Sequence, residues 1–296
     1  MIDINFKNIS IESIDLPVGG KRKLSVSVLR ADLLHPIISG NKWFKLRFYI
    51  EQAKTFSAIA TFGGAYSNHM VATAAACNMY GLKGICIVRG EEPSVYSPSL
   101  LQAKALGMQL IFVSRKDFEG KEVIKQAYRS KNWFWINEGG YGIEGANGAS
   151  TLHDYINPHN THIICATGTG TTFAGLIKKA LPHQTVIGIN VLKGNTSIIN
   201  EINNLLTKEE QLKKYSMLHE YHFGGYAKHP KELIDFMNLF WKATSIPSDI
   251  VYTGKLFYAV NHLVAQDFFT EHSKLIVIHS GGLQGNYSLP NGILHF

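Results

Sequence analysis

Three short stretches bring together residue types able to do chemistry. In ISGNKWFKL, residues 38–46, Lys42 follows Gly-Asn at what reads as a loop-to-helix junction. A lysine is ordinarily a solvated surface cation; partly desolvated beside glycine turns, its amine has a depressed pKa and attacks carbonyl carbon. In CATGTGTTFAGL, residues 165–176, an apolar strand passes into a helix through Thr167, Gly168, Thr169, Gly170, Thr171 and Thr172. Bare N–H groups and hydroxyls at a helix start form a phosphate cradle, whereas a plain strand-to-helix turn needs a single glycine. In TFGGAYSNH, residues 61–69, Ser67 and Asn68 stand where N-cap residues belong. They either cap the helix alone or, through the Ser67 hydroxyl and the N–H groups of Asn68 and His69, hold a carboxylate. Amine and cradle together suit a phosphate-bearing aldehyde.

Other chemistries lack a required residue. A dinucleotide fold needs an acid at the end of the next strand to hold a ribose hydroxyl, and TVIGIN leads into VLKGN with none. The lysine of a nucleotide phosphate loop is missing after Gly170. Neither FGGAYSNH nor IHSGGLQG supplies the G-x-S-x-G elbow of a serine nucleophile. His159 with His162, and His219 with His222, are spaced i,i+3 without cysteine or HExxH context, so no metal site is expected.

The elements that must carry these residues alternate. SAIATFG, KGICIVRG and QLIFVS read as buried strands interleaved with the helical stretches NHMVATAAACNMYGL and SPSLLQAKALGM; THIICATG, TVIGINVL and KLIVIHSGG form a second series. The expectation is an α/β chain of two lobes with mostly parallel sheets sharing one cleft, ligands binding at the carboxyl ends of strands. At 296 residues, 45% hydrophobic and 17% charged, the chain has ample core, and its formal charge of +7 is scattered without a basic run that would suggest nucleic acid. The three cysteines, Cys77, Cys86 and Cys165, are too far apart in sequence for a disulfide framework or thiolate metal site. No signal peptide or membrane span is read, so a cytoplasmic protein is expected.

With these residues in hand, the chain resembles the pyridoxal-phosphate-dependent D-cysteine desulfhydrase and 1-aminocyclopropane-1-carboxylate (ACC) deaminase family over nearly its whole length. ISGNKWFKL is similar to the family's GGNKxRKLE lysine motif, GGAYSNHMVATAAACNMYGL to its GxxQSNHxRQTAAxAAxLGL segment, and TGTGTTFAGL to its SGSxGTxAGL phosphate loop. HFGGYAK, VYTGK and IHSGG match its C-terminal segments in the same order. The resemblance implies the tryptophan-synthase-β-like architecture, fold type II, with a large cofactor-binding unit from residues 1–48 and 150–296 and a small α/β unit at 49–149. It implies pyridoxal 5'-phosphate as cofactor, a small amino acid as substrate and a homodimer as the assembly.

By the same resemblance, Lys42 forms the Schiff base and takes the Cα proton, and Thr167 to Thr172 bind the phosphate. Asn68 meets the ring oxygen, Ser67 the substrate carboxylate, Tyr252 the ring face, and Tyr226 the substrate side. ACC deaminases carry a glutamate after the stacking tyrosine and an apolar residue in the last glycine motif, where this chain has Thr253 and Ser280. A hydroxyl beside the ring nitrogen withdraws electrons less than a carboxylate partner allows, which suits β-elimination. The implied activity is conversion of D-cysteine to pyruvate, hydrosulfide and ammonia, under a lyase or hydrolase label; an ACC deaminase and a non-catalytic binding relative are the alternatives. Phe44, Val71 and Ala72 depart from the family's residues and are expected beside the site.

Overall fold

The computed structural model describes residues 4–296, so residues 1–3 of the expected large unit lie outside the described residues. The strands are β1 Ile11–Ile14, β2 Ser25–Leu29, β3 Ala58–Gly63, β4 Gly84–Arg89, β5 Gln109–Val113, β6 Trp133–Ile136, β7 His162–Thr167, β8 Thr185–Asn190, β9 Tyr215–Leu218 and β10 Lys274–Ile278. They form a six-stranded sheet in the order β1-β2-β10-β7-β8-β9 and a four-stranded sheet in the order β5-β4-β3-β6. Among the described strands only the edge pair β1–β2 is antiparallel, and the other strand pairings are parallel.

Parallel strands need crossover helices, and helices on both faces bury both sides of each strand. Along β7 the side chains alternate accordingly: Ile163 and Cys165 join an apolar cluster with Leu46, Ile50, Phe173 and Leu176, while Ile164 and Ala166 join another with Phe240, Phe257 and Val260. The first cluster is capped by the helices Asn41–Ala53 and Thr171–Lys179, the second by Lys231–Thr244 and Thr253–Ala265. All three cysteines are free thiols inside the protein. Among the described residues no helix is long and apolar enough to cross a membrane.

The strand orders place the site. The chain moves outward from β7 to β8 to β9, whereas β10 lies on the other side of β7; likewise β3, β4 and β5 run one way and β6 falls on the far side of β3. Each sheet therefore has one point where its connections diverge, which opens a crevice at the carboxyl ends of the central strands. The loops leaving β7, β10, β3 and β6 all border a single cavity.

Candidate active site

The cavity has a volume of about 470 Å³, within the range for a cofactor with a small substrate. Lys42 is the second residue of the helix Asn41–Ala53, whose start presses against the end of β10. Gly40 has φ +61°, and a Cβ there would lie 2.0 Å from the Ser280 carbonyl oxygen, so only glycine permits the approach. Asn41 N–H then donates to that carbonyl at 3.3 Å. The Asn41 side chain bridges two parts of the site, donating through Nδ2 to Thr172 Oγ1 and accepting from Lys42 Nζ, both at 2.8 Å. Burial lowers the Lys42 pKa to about 8, partly opposed by the Asp249 carboxylate.

One helical turn on, Lys45 is buried, lines the same cavity and donates to the Gly139 carbonyl. Its pKa lies well below the ordinary lysine value because of burial and the Lys42 charge.

Two helix N-termini face these amines. The helix Thr171–Lys179 follows Gly170 in the left-handed conformation, and Thr169 and Thr171 hydroxyls hydrogen-bond at 3.0 Å. The helix Asn68–Met79 is capped by Ser67, whose Oγ accepts from Met70 N–H at 3.1 Å. The first N–H groups of each helix have no intrahelical acceptor and carry the positive end of its dipole. Asn68 Nδ2 donates to the Gly282 carbonyl at 3.3 Å, while Asn68 Oδ1 is buried without a partner. His69 turns its ring away from the helix end: Nε2 meets Thr61 Oγ1 at 2.8 Å, and that hydroxyl donates onward to Ile136 O. Nε2 therefore carries the proton, Nδ1 is left unpartnered, and burial beside Lys45 and Lys42 keeps the ring neutral.

Tyr252 and Tyr226 meet edge to face at 6.4 Å, and Lys42 Nζ lies 5.7 Å from the Tyr252 ring centre. Burial raises the Tyr252 pKa well above its usual value and that of Tyr226 in the same direction, so both phenols stay protonated at neutral pH. Gly168 lies under Tyr252, whose ring would be 3.2 Å from any Cβ added there.

The amine and the two helix N-termini fit a polar, anionic guest with a carbonyl, and the unpartnered Asn68 Oδ1 leaves an acceptor for a donor on that guest. Residues 18–281 match the family described as pyridoxal-phosphate dependent enzyme. The chain belongs to this family. Its cofactor is pyridoxal phosphate and its fold is type II. A putative ACC deaminase of Thermotoga maritima is 27% identical over 97% of this chain and 97% of its own length. A mitochondrial bifunctional D-cysteine desulfhydrase/ACC deaminase of Arabidopsis thaliana is 27% identical over 88% of this chain and 73% of its own. The crystal structure of an ACC deaminase homologue superposes with a TM-score of 0.79 at 23% identity, covering 97% of this chain and 93% of that one. The hydrolase label is withdrawn, since lyase is the class that fits this pyridoxal-phosphate dependent enzyme and its desulfhydrase relatives.

Most of the expected site residues of this pyridoxal-phosphate dependent enzyme line the cavity: Lys42, Ser67, Asn68, His69, Thr167 to Thr172, Tyr226, Tyr252 and Ser280. Thr253 does not. It is fully buried, and its hydroxyl donates to Asp249 Oδ1 at 2.7 Å while accepting from Asp249 N–H at 2.7 Å. The placement of Phe44, Val71 and Ala72 beside the site is also corrected. All are fully buried and none lines the cavity; Phe44 packs edge-on against Phe6 and Tyr155. Sequence reasoning missed Asn41, Lys45, Arg89 and Glu138 in the lining. It also missed Asp249, which accepts from Val251, Tyr252 and Thr253 N–H at 2.9, 3.0 and 2.8 Å.

Proposed function

We propose that this chain is a lyase acting on a small amino acid with a leaving group at Cβ, D-cysteine being the best candidate. The observation that carries the reading is the convergence of two helix N-termini on one desolvated lysine, one end for the cofactor phosphate and the other for the substrate carboxylate. Gly168 to Thr172 would hold the phosphate with Lys45 Nζ as a further donor, Asn68 the ring oxygen, Tyr252 the ring face and Ser280 the ring nitrogen. When bound, the cofactor supplies an electron sink for the pair left at Cα.

The chain's own groups do the rest. With a pKa of about 8, roughly one Lys42 in ten is neutral at pH 7, enough to attack a carbonyl and take the Cα proton. Ser67 Oγ and the first-turn N–H groups fix the substrate carboxylate, and Tyr226, half exposed at the lip, screens the substrate side. The Cα–H and Cβ–S bonds break, hydrosulfide leaves, and the released aminoacrylate takes up water to give pyruvate and ammonia. The division into units 1–48 with 150–296, and 49–149, a homodimeric assembly and a cytoplasmic setting belong to the same reading.

Ring opening of ACC is a second reading, favoured by the withdrawal of Thr253 from the cavity, since that residue was half of the argument against it. The deciding experiment incubates the holoenzyme with each compound and identifies the keto acid. Pyruvate with hydrosulfide from D-cysteine is the expected result. 2-Oxobutyrate from ACC with no pyruvate from D-cysteine would replace the first reading by the second, and a coloured holoprotein that turns over neither would be a binding protein.

Ser67→Ala removes the cap and the carboxylate donor together. It is expected to cost about 1 kcal/mol of stability, read from the denaturant midpoint, and to raise KM about tenfold with a smaller change in kcat. An unchanged KM would detach Ser67 from the substrate.

A further inference from the structure

The helix Thr253–Ala265 holds a lysine that the chemistry above does not use. Lys255 is fully buried, and its Nζ donates to two main-chain carbonyls, His222 O at 2.9 Å and Gly225 O at 2.6 Å. A buried ammonium is costly unless its donors are satisfied, and here both known acceptors belong to one turn. That turn is itself unfavourable: Phe223, Gly224, Gly225 and Ala227 have φ of 52°, 92°, 124° and 55°. Two of these residues carry a Cβ, which the left-handed region penalises. A segment held in this way needs an anchor, and between Gly225 and Ala227 it presents Tyr226, edge-on to Tyr252 at the lip of the cavity.

We propose that Lys255 is a positioning residue whose ammonium clamps the 222–225 turn and thereby sets Tyr226 over the substrate side of the cavity. The proposal rests on the reading that Tyr226 faces substrate. Lys255 does not line the cavity; it acts through the two carbonyls. Its removal therefore changes how substrate is held, with the cofactor still bound.

Lys255→Met, which keeps the length of the chain and loses the donors, tests this. In the cofactor-free protein, hydrogen exchange of the 223–228 amides is expected to quicken about tenfold or more while strands β3 and β4 keep their protection. In the loaded enzyme the visible spectrum is expected to be retained, KM to rise about tenfold with a smaller fall in kcat, and Lys255→Met to add little to the effect of Tyr226→Ala. A turn that exchanges as slowly as in the unmutated protein, or effects of the two substitutions that multiply, would overturn the proposal. The exchange measurement needs no substrate, so it decides the clamp even if the assignment of Tyr226 to the substrate side fails. Should Lys255→Met not fold, Lys255→Leu, which also lacks a donor, is read in the same way, and an unaltered turn overturns the proposal there too.

Discussion

Lys42→Ala is expected to leave a folded protein that no longer captures pyridoxal phosphate covalently and whose turnover falls by about 10³-fold or more. The lysine sits at the start of its helix, where a shortened side chain opens space in a cavity and not in the core. Absorbance before and after borohydride, followed by mass spectrometry of the labelled peptide, gives the result. A cofactor fixed at another lysine would move the chemistry elsewhere, and Lys45 is the neighbour to inspect. The unmutated chain provides a second check through pH. Burial lowers the amine from its ordinary 10.5 to about 8 and the neutral form is the nucleophile, so covalent capture by cofactor-free protein rises with pH and levels off above about 8. A midpoint near 10 would return Lys42 to solvent.

Asp249→Ala is expected to be the most damaging single substitution for stability outside the apolar core, costing about 3–5 kcal/mol. The carboxylate is fully buried and accepts from three main-chain N–H groups and the Thr253 hydroxyl, so its loss strands four donors at the start of a buried helix. It also removes the negative charge that opposes desolvation of Lys42. The midpoint for cofactor capture should therefore move to lower pH in whatever fraction remains folded. Urea denaturation and the capture profile measure the two effects separately. A change below 1 kcal/mol would mean that water or another acceptor replaces the carboxylate.

What the sequence disclosed was chiefly local. A glycine-threonine turn into a helix, a serine cap and a lysine after Gly-Asn are written in adjacent residues, because orphan N–H groups and left-handed turns are satisfied within a few positions. The parallel α/β character was legible for the same reason, in short apolar runs such as ATFG and IICA. β6, WFWI, escaped because four aromatic and aliphatic residues without alternation carry no strand period. The helix beginning at Asn41 held more than was taken from it. At 100° per residue, Phe44 stands 200° from Lys42 and must face the core, whereas Lys45 returns to within 60° of Lys42 and shares the cavity. Val71 and Ala72 fail for a different reason: the cavity meets only the end of their helix, never its side. Thr253 shows the limit of motif matching. The position corresponds, but a buried aspartate four residues earlier has claimed its hydroxyl, and that claim exists only in three dimensions.

The burial of the three thiols has a chemical consequence for a protein proposed to handle thiol substrates. A cysteine reacts with disulfides and oxidants as its thiolate, and the thiolate form is what Cys77, Cys86 and Cys165 lack: burial pushes Cys77 and Cys165 up to about 12 and Cys86 higher still. Being both closed to solvent and protonated, they are poorly placed for disulfide exchange or oxidation. The chain's own sulfur is in this way kept out of whatever thiol chemistry the cavity carries out.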